Sequence, residues 1–216
     1  MHKLESPGTP IVWSVFPLLA LAGATDALMI LHSKDLLAVY MTGNSTKLGD
    51  FLAQGAWFKV GEIASVIGTF VFATTVAAWM GDRIGRVRSG VLLLFVGVLL
   101  AIAAPLAAQA TEKYSLATVM VIAAAMGTLN QVRADEPGVT FVTGLLVKLG
   151  RCLAAGKFGG AADAFSRWLC LLIGALLGTL VDGRLGAATL LLLAALAALG
   201  ALTAWLVQPN GRPQES

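Results

Sequence analysis

Six apolar runs organise the chain, near residues 11–31, 60–80, 90–110, 116–132, 164–181 and 186–207. Each approaches the roughly 20 residues that a helix needs to cross about 30 Å of hydrocarbon. Segments of this kind must satisfy their backbone hydrogen bonds internally, which makes them helices. Composition agrees: 57% of the 216 residues are hydrophobic, 12% are charged and the mean hydropathy is +0.82, whereas soluble domains carry about a quarter charged residues. The charges crowd into stretches such as Asp82-Arg83-Ile84-Gly85-Arg86-Val87-Arg88. A soluble enzyme, a nucleic-acid binder and a disordered tail are excluded. The net charge of +3 reads as membrane orientation, not as nucleic-acid affinity. The expected fold is an all-α integral membrane protein, with the lipid bilayer as its first partner.

Two further apolar segments, residues 36–55 and 138–156, are interrupted by Thr-Gly, Lys and Gly. Irregular backbone at membrane depth persists only where protein or water covers it, so both read as broken or re-entrant. With six crossings, Arg83, Arg86, Arg88, Arg133, Lys157 and Arg167 share a side with both termini, and Lys34, Lys59, Lys113 and Arg184 fall opposite. This asymmetry predicts cytoplasmic termini. Lys3, the apolar run from Ile11 and the small residues Ala20–Ala24 imitate a secretory signal, but the segment has a counterpart in the second half of the chain and is read as retained. Cys152 and Cys170 belong to no Cys-x-x-Cys or Cys/His cluster. They read as free and inert, and neither a metal nor another cofactor is expected.

Shifted against itself by 101 residues, the chain matches MTGNSTKLGDFLAQG (41–55) to VTGLLVKLGRCLAAG (142–156) without gaps, with eight of fifteen positions identical. The same offset pairs Tyr40 with Phe141, Glu62 with Asp163, Ser65 with Ser166, Arg83 with Arg184 and Gly85 with Gly186. Upstream, a three-residue shift sets Gly23 and Asp26 against Gly127 and Asn130. The single membrane domain is therefore two copies of one unit, about 11–110 and 116–207. Three crossings per unit force the second copy to enter the membrane upside down, giving two inverted three-helix repeats, each with one interrupted segment. Secondary transporters use this architecture, with sites near the midplane where discontinuous helices meet.

Met41-Thr42-Gly43-Asn44 with Leu48-Gly49, followed about a hundred residues later by Val142-Thr143-Gly144, resembles the YoaK-like family of six-helix bacterial membrane proteins of unknown function. The resemblance covers about residues 13–207. It implies a bacterial inner-membrane location and supplies no substrate, reaction or cofactor. Ser45 stands where that family more often has Thr.

Thr42-Gly43 and Thr143-Gly144 are the expected helix breaks, where hydroxyl and backbone groups either meet a solute or merely cap a helix. Asp26 lies inside the first span, where a carboxylate needs a partner, water or a task. Its counterpart Asn130 is neutral. Lys47 and Lys148, one turn beyond each break, favour an anion together with the helix dipole, or else snorkel or pair with a carboxylate. Asn44 faces Leu145 in the other copy and offers both a donor and an acceptor. Glu62 and Asp163 read as caps of the following helices. Gly174 and Gly178, with Ala73 and Ala77 in the first copy, have the small-residue spacing that lets helices approach closely within one molecule. Trp13, Trp57, Trp79, Trp168 and Trp205 fit an interfacial belt.

His2 and His32 are the only histidines, and neither falls in a span beside Ser65 or Ser166. Phosphate-binding, zinc-hydrolase and serine-hydrolase motifs are absent, so no catalytic residue is assigned. The resulting expectation is a permease-like secondary transporter for a small polar or anionic solute. A membrane scaffold and a small channel are the alternatives.

Overall fold

The computed structural model describes residues 15–207 except 34, 35, 39, 111, 135–137 and 139. Trp13 and Lys34 lie outside the described residues. Among the described residues eight α-helices follow one another: α1 (Val15–Ser33), α2 (Met41–Ala53), α3 (Trp57–Ile84), α4 (Arg88–Ala108), α5 (Leu116–Leu129), α6 (Val142–Ala154), α7 (Phe158–Leu185) and α8 (Ala188–Leu206). Only the 3₁₀ turn Gly85–Val87 separates α3 from α4. By length and composition α1, the stretch Trp57–Ala108, α7 and α8 are able to cross a membrane.

α5 is shorter than its apolar run. It stops at Leu129, giving 14 residues or about 21 Å. The Asn130 side chain donates back to the Met126 carbonyl (2.9 Å) and closes the helix there.

The interrupted segments differ from expectation in a way that explains their glycines. Each holds an unbroken 13-residue helix, α2 or α6. The break lies earlier, at Tyr40 (φ −81°, ψ 70°) and Phe141 (φ −78°, ψ 65°), so Thr42-Gly43 and Thr143-Gly144 sit within first turns. A Cβ on Gly43 would strike the Tyr40 ring, and one on Gly144 the Phe141 ring. Glycine is required so that the aromatic ring can lie over the helix start. At the other end both helices close alike. Gly55 (φ 66°) and Gly156 (φ 67°) adopt left-handed backbone, Ala56 N–H bonds Phe51 O (2.9 Å) and Lys157 N–H bonds Cys152 O (2.8 Å). These are the bonds of a glycine-terminated Schellman end. The chain then reverses, and α2 packs on α3 as α6 packs on α7.

This reversal starts α3 and α7 earlier than the apolar runs do. Glu62 and Asp163 are the sixth residues of their helices, not caps. The caps are Ala56 and Lys157, whose side chains make no capping bond.

The helix pairs have defined directions. α1 and α7 run parallel, with Phe16 beside Cys170, Ala20 against Gly174, Ala24 against Gly178 and His32 against Asp182. α4 and α8 run antiparallel, since Gly90 meets Trp205 and Gly97 meets Ala194. α4 starts where α5 ends, with Arg88 and Ser89 bonded to Gln131 and Val132. Arg88 also holds Asp82 at the end of α3 (3.0 Å), so α3 and α5 finish together. They pack closely at Gly127, where a Cβ would strike the Phe70 carbonyl, and Thr74 Oγ1 donates to Gly127 O (3.2 Å).

Leu28, Met29, Leu100, Ile122, Met126 and Leu190 fill the interior between α1, α4, α5 and α8. The outer faces of α7 and α8 expose Leu176, Leu180, Leu196 and Leu199, as a surface facing lipid does.

Candidate functional site

Each interrupted segment forms an elbow, in which a short helix returns along a long one and the described residues just before it lie outside any helix. The two elbows are pinned by different asparagines. In the first, Asn44 is fully buried. Its Oδ1 accepts from Leu37 N–H (3.1 Å), and its Nδ2 donates to Leu37 O (2.6 Å) and toward Met41 Sδ (3.7 Å). One amide thus answers both backbone groups of the residue facing it. The counterpart of Asn44 is Leu145, which cannot do this, and Asn130 serves instead. Its Oδ1 accepts from Thr140 N–H (3.1 Å) and Thr140 Oγ1 (3.0 Å). Both asparagines, read in the sequence as solute contacts, are occupied in holding backbone.

The remaining candidates are spread over the two elbows. Thr42 and Thr143 are exposed on α2 and α6, and the Thr42 carbonyl accepts from Thr46 Oγ1 (3.0 Å). Gly43 and Gly144 lie beneath the aromatic rings. Lys148 Nζ reaches Asp163 Oδ2 (2.8 Å), whose other oxygen takes Arg167 Nε (3.0 Å). Asp26 and Lys47 are half-buried and engage neighbouring groups. α2 and α6 do not form a packed pair. The expectation that the interrupted segments meet is therefore corrected: each is held in a hairpin by its own long helix. Gly174 and Gly178 meet Ala20 and Ala24 of α1, while Ala73 and Ala77 are buried on α3.

A second constellation lies at the end of the bundle where α1, α4 and α7 finish and α5 and α8 begin. His32 Nε2 and Asp182 Oδ2 are 2.7 Å apart. The Tyr114 ring stacks on His32 at 4.8 Å and 27°, and Tyr114 N–H donates to His32 O (2.9 Å). Asp182, Tyr114 and Thr189 are 8%, 7% and 1% exposed. Asp182 Oδ1, Tyr114 Oη and Thr189 Oγ1 are each buried without a hydrogen-bond partner. Burial and the nearby Asp182 carboxylate push the Tyr114 phenol up to about 12. A cleft of about 290 Å³ opens here, walled by His32, Tyr114, Glu112, Lys113 and alanines of α4 and the turn before α8.

Sequence reasoning missed this group. The four residues come from four separate stretches, and each looks ordinary in its own. The available signal was the 101-residue offset, which sets Gly81-Asp82 against Asp182-Gly183 and Arg88 against Thr189, so the carboxylate is displaced by one position and the arginine replaced.

Residues 15–203 match the family model described as "Protein of unknown function (DUF1275)". The chain belongs to that family. The match takes in α1 to α7, most of α8, both elbows and the His32–Asp182 pair. Among curated proteins the chain is similar to UPF0700 transmembrane protein RA0705 of Rhizobium meliloti (strain 1021), with 28% identity over 170 residues, which is 77% of this chain and 73% of that protein. No solved structure matches. With this relative and its long apolar helices, the chain is a transmembrane protein of an uncharacterised family. Neither match carries the YoaK-like name.

Proposed function

We infer that the protein is a permease-like secondary transporter for a small polar or anionic solute, built as two inverted three-helix repeats in a bacterial inner membrane. The observation that carries this reading is the direction of the helices. With α1 taken as pointing up, its parallel partner α7 points up, α8 down, α4 up, α5 down and α3 down. The halves then read up-down-up and down-up-down. Helix lengths support the repeat, since α2 matches α6 and α3 matches α7 residue for residue at the 101-residue offset. Because α1 and α3 run oppositely, α2 starts and ends on one side as a re-entrant element, and α6 does the same on the other.

In this reading Arg83, Arg86, Arg88, Arg133 and Lys157 lie on the cytoplasmic side with both termini, and Lys59, Lys113 and Arg184 lie outside. Asp26 carries the coupling proton or fixes a cation, and the elbows offer Thr42, Lys47, Thr143 and Lys148 to the solute. Asn44 and Asn130 set the elbow backbones.

The test is solute counterflow into proteoliposomes across a panel of small anions, amines, sugars and amino acids. Saturable uptake lost in Asp26→Asn is expected. Folded protein that moves none of them sinks the reading. The exposed face of α2, with Thr42, Ser45, Thr46 and Asp50, favours one second reading. A polar face at membrane depth needs water or protein over it, and a membrane scaffold would cover it with a partner helix. Co-purification of that partner, lost on Thr46→Leu, distinguishes the two.

A further inference from the structure

The two ends of the bundle answer the same structural problem with opposite chemistry. At the end where α3 gives way to α4, Gly81 leaves room for the Arg88 guanidinium, to which a Cβ there would approach within 2.7 Å. Arg88, 13% exposed, bonds Gln131 O (2.8 Å) and Asp82 (3.0 Å). The chain therefore supplies its own cation. At the equivalent turn from α7 to α8, the glycine has become Asp182 and the arginine Thr189. Here the carboxylate meets the His32 imidazole of α1 at Oδ2 (2.7 Å), and its Oδ1 has no hydrogen-bond partner.

We propose that the place beside this Oδ1 is a binding site for a small monovalent cation, an alkali-metal ion or a protonated amine, held by Asp182 Oδ1, Tyr114 Oη and Thr189 Oγ1. Each of these oxygens is buried without a hydrogen-bond partner, and His32 links two of their residues, bonding Asp182 and stacking on Tyr114. The carboxylate excludes an anion. Tyr114 enters as a neutral hydroxyl with a lone pair to give. With Asp182 as its one carboxylate, this set of oxygens carries one formal negative charge, which fits a monovalent ion. His32 takes the other carboxylate oxygen and orients it. The cleft beside His32 and Tyr114 gives the route in, with the opposed rim charges of Glu112 and Lys113. The site is independent of the transport reading, because binding is measured on the protein at rest.

The experiment is thermal unfolding of the full-length protein in detergent. NaCl, KCl and methylammonium chloride are titrated separately against choline chloride at constant ionic strength. Binding to the folded state raises the midpoint saturably. A rise with sodium or potassium identifies an inorganic ion, and a rise with methylammonium alone identifies an amine; either supports the site. The rise is expected to vanish in Asp182→Asn, and Tyr114→Phe and Thr189→Val are each expected to weaken the apparent Kd by about fivefold or more. If Asp182→Asn does not fold, those two variants carry the test. No saturable rise with any of the three cations overturns the proposal, and so does a rise that survives in all of the variants.

Discussion

Asn44→Ala removes a pin whose energetic weight follows from its geometry. The wild-type amide is fully buried and bonds both backbone groups of Leu37, at 3.1 and 2.6 Å. Each bond is worth about 1 kcal/mol net, and stranding a buried partner adds about 1–3 kcal/mol. Leu37 is only half-buried, so water recovers part of that loss and the expected cost is about 2–4 kcal/mol. The assay is equilibrium unfolding in mixed micelles, read by tryptophan fluorescence, together with hydrogen exchange at the Leu37 amide. Asn44→Ala is expected to lower stability by this amount and to speed exchange at Leu37. Asn44→Asp keeps the acceptor but loses the donor and buries a charge, and is expected to cost more. A stability within about 0.5 kcal/mol of wild type, with unchanged exchange at Leu37, would refute the pin.

Asn130→Ala is expected to cost a similar amount and to free the Thr140 amide, measured in the same way. Gly23→Ala and Gly127→Ala, whose Cβ atoms would strike the Leu171 and Phe70 carbonyls, are each expected to lower stability by about 1–3 kcal/mol. Gly68→Ala, with nothing within 4 Å, is expected to be neutral or to gain up to about 1 kcal/mol; equal losses at all three positions would contradict the packing. In ultraviolet titration the Tyr114 phenol is expected to ionise near 12, against an ordinary value of 10.0, and Tyr114→Phe is expected to remove that step. The unfolded chain gives up this proton first, so stability should fall as pH rises from about 10 to about 12, by about 3 kcal/mol. A step near 10 from Tyr114 would show that neither burial nor Asp182 acts on it.

The sequence is most legible where one physical rule acts alone. Apolar length locates the long apolar helices, and the 101-residue match anticipates that α2 and α6, and α3 and α7, have equal lengths. Positions set by more than one element are harder to read. Thr-Gly looks like a break because glycine disfavours helix, yet Gly43 and Gly144 serve a ring that belongs to the preceding residues Tyr40 and Phe141. Asn44 looks available because its partner is a backbone, which composition does not display. Asp163 looks like a cap because the apolar run starts beside it, whereas the Schellman turn at Gly156 starts the helix five residues earlier. His32 and Asp182 are separated by 150 residues, and only the parallel packing of α1 on α7 joins them.

Inversion of the two halves across the membrane is open to labelling at the starts of α3 and α7. In a background lacking Cys152 and Cys170, Lys59→Cys at the start of α3 and Lys157→Cys before α7 are treated with a membrane-impermeant maleimide. Intact cells and permeabilised cells are compared. With inverted halves, Lys59→Cys and Lys113→Cys are expected to label in intact cells and Lys157→Cys only after permeabilisation. Labelling of Lys59→Cys and Lys157→Cys from the same face would contradict the inversion.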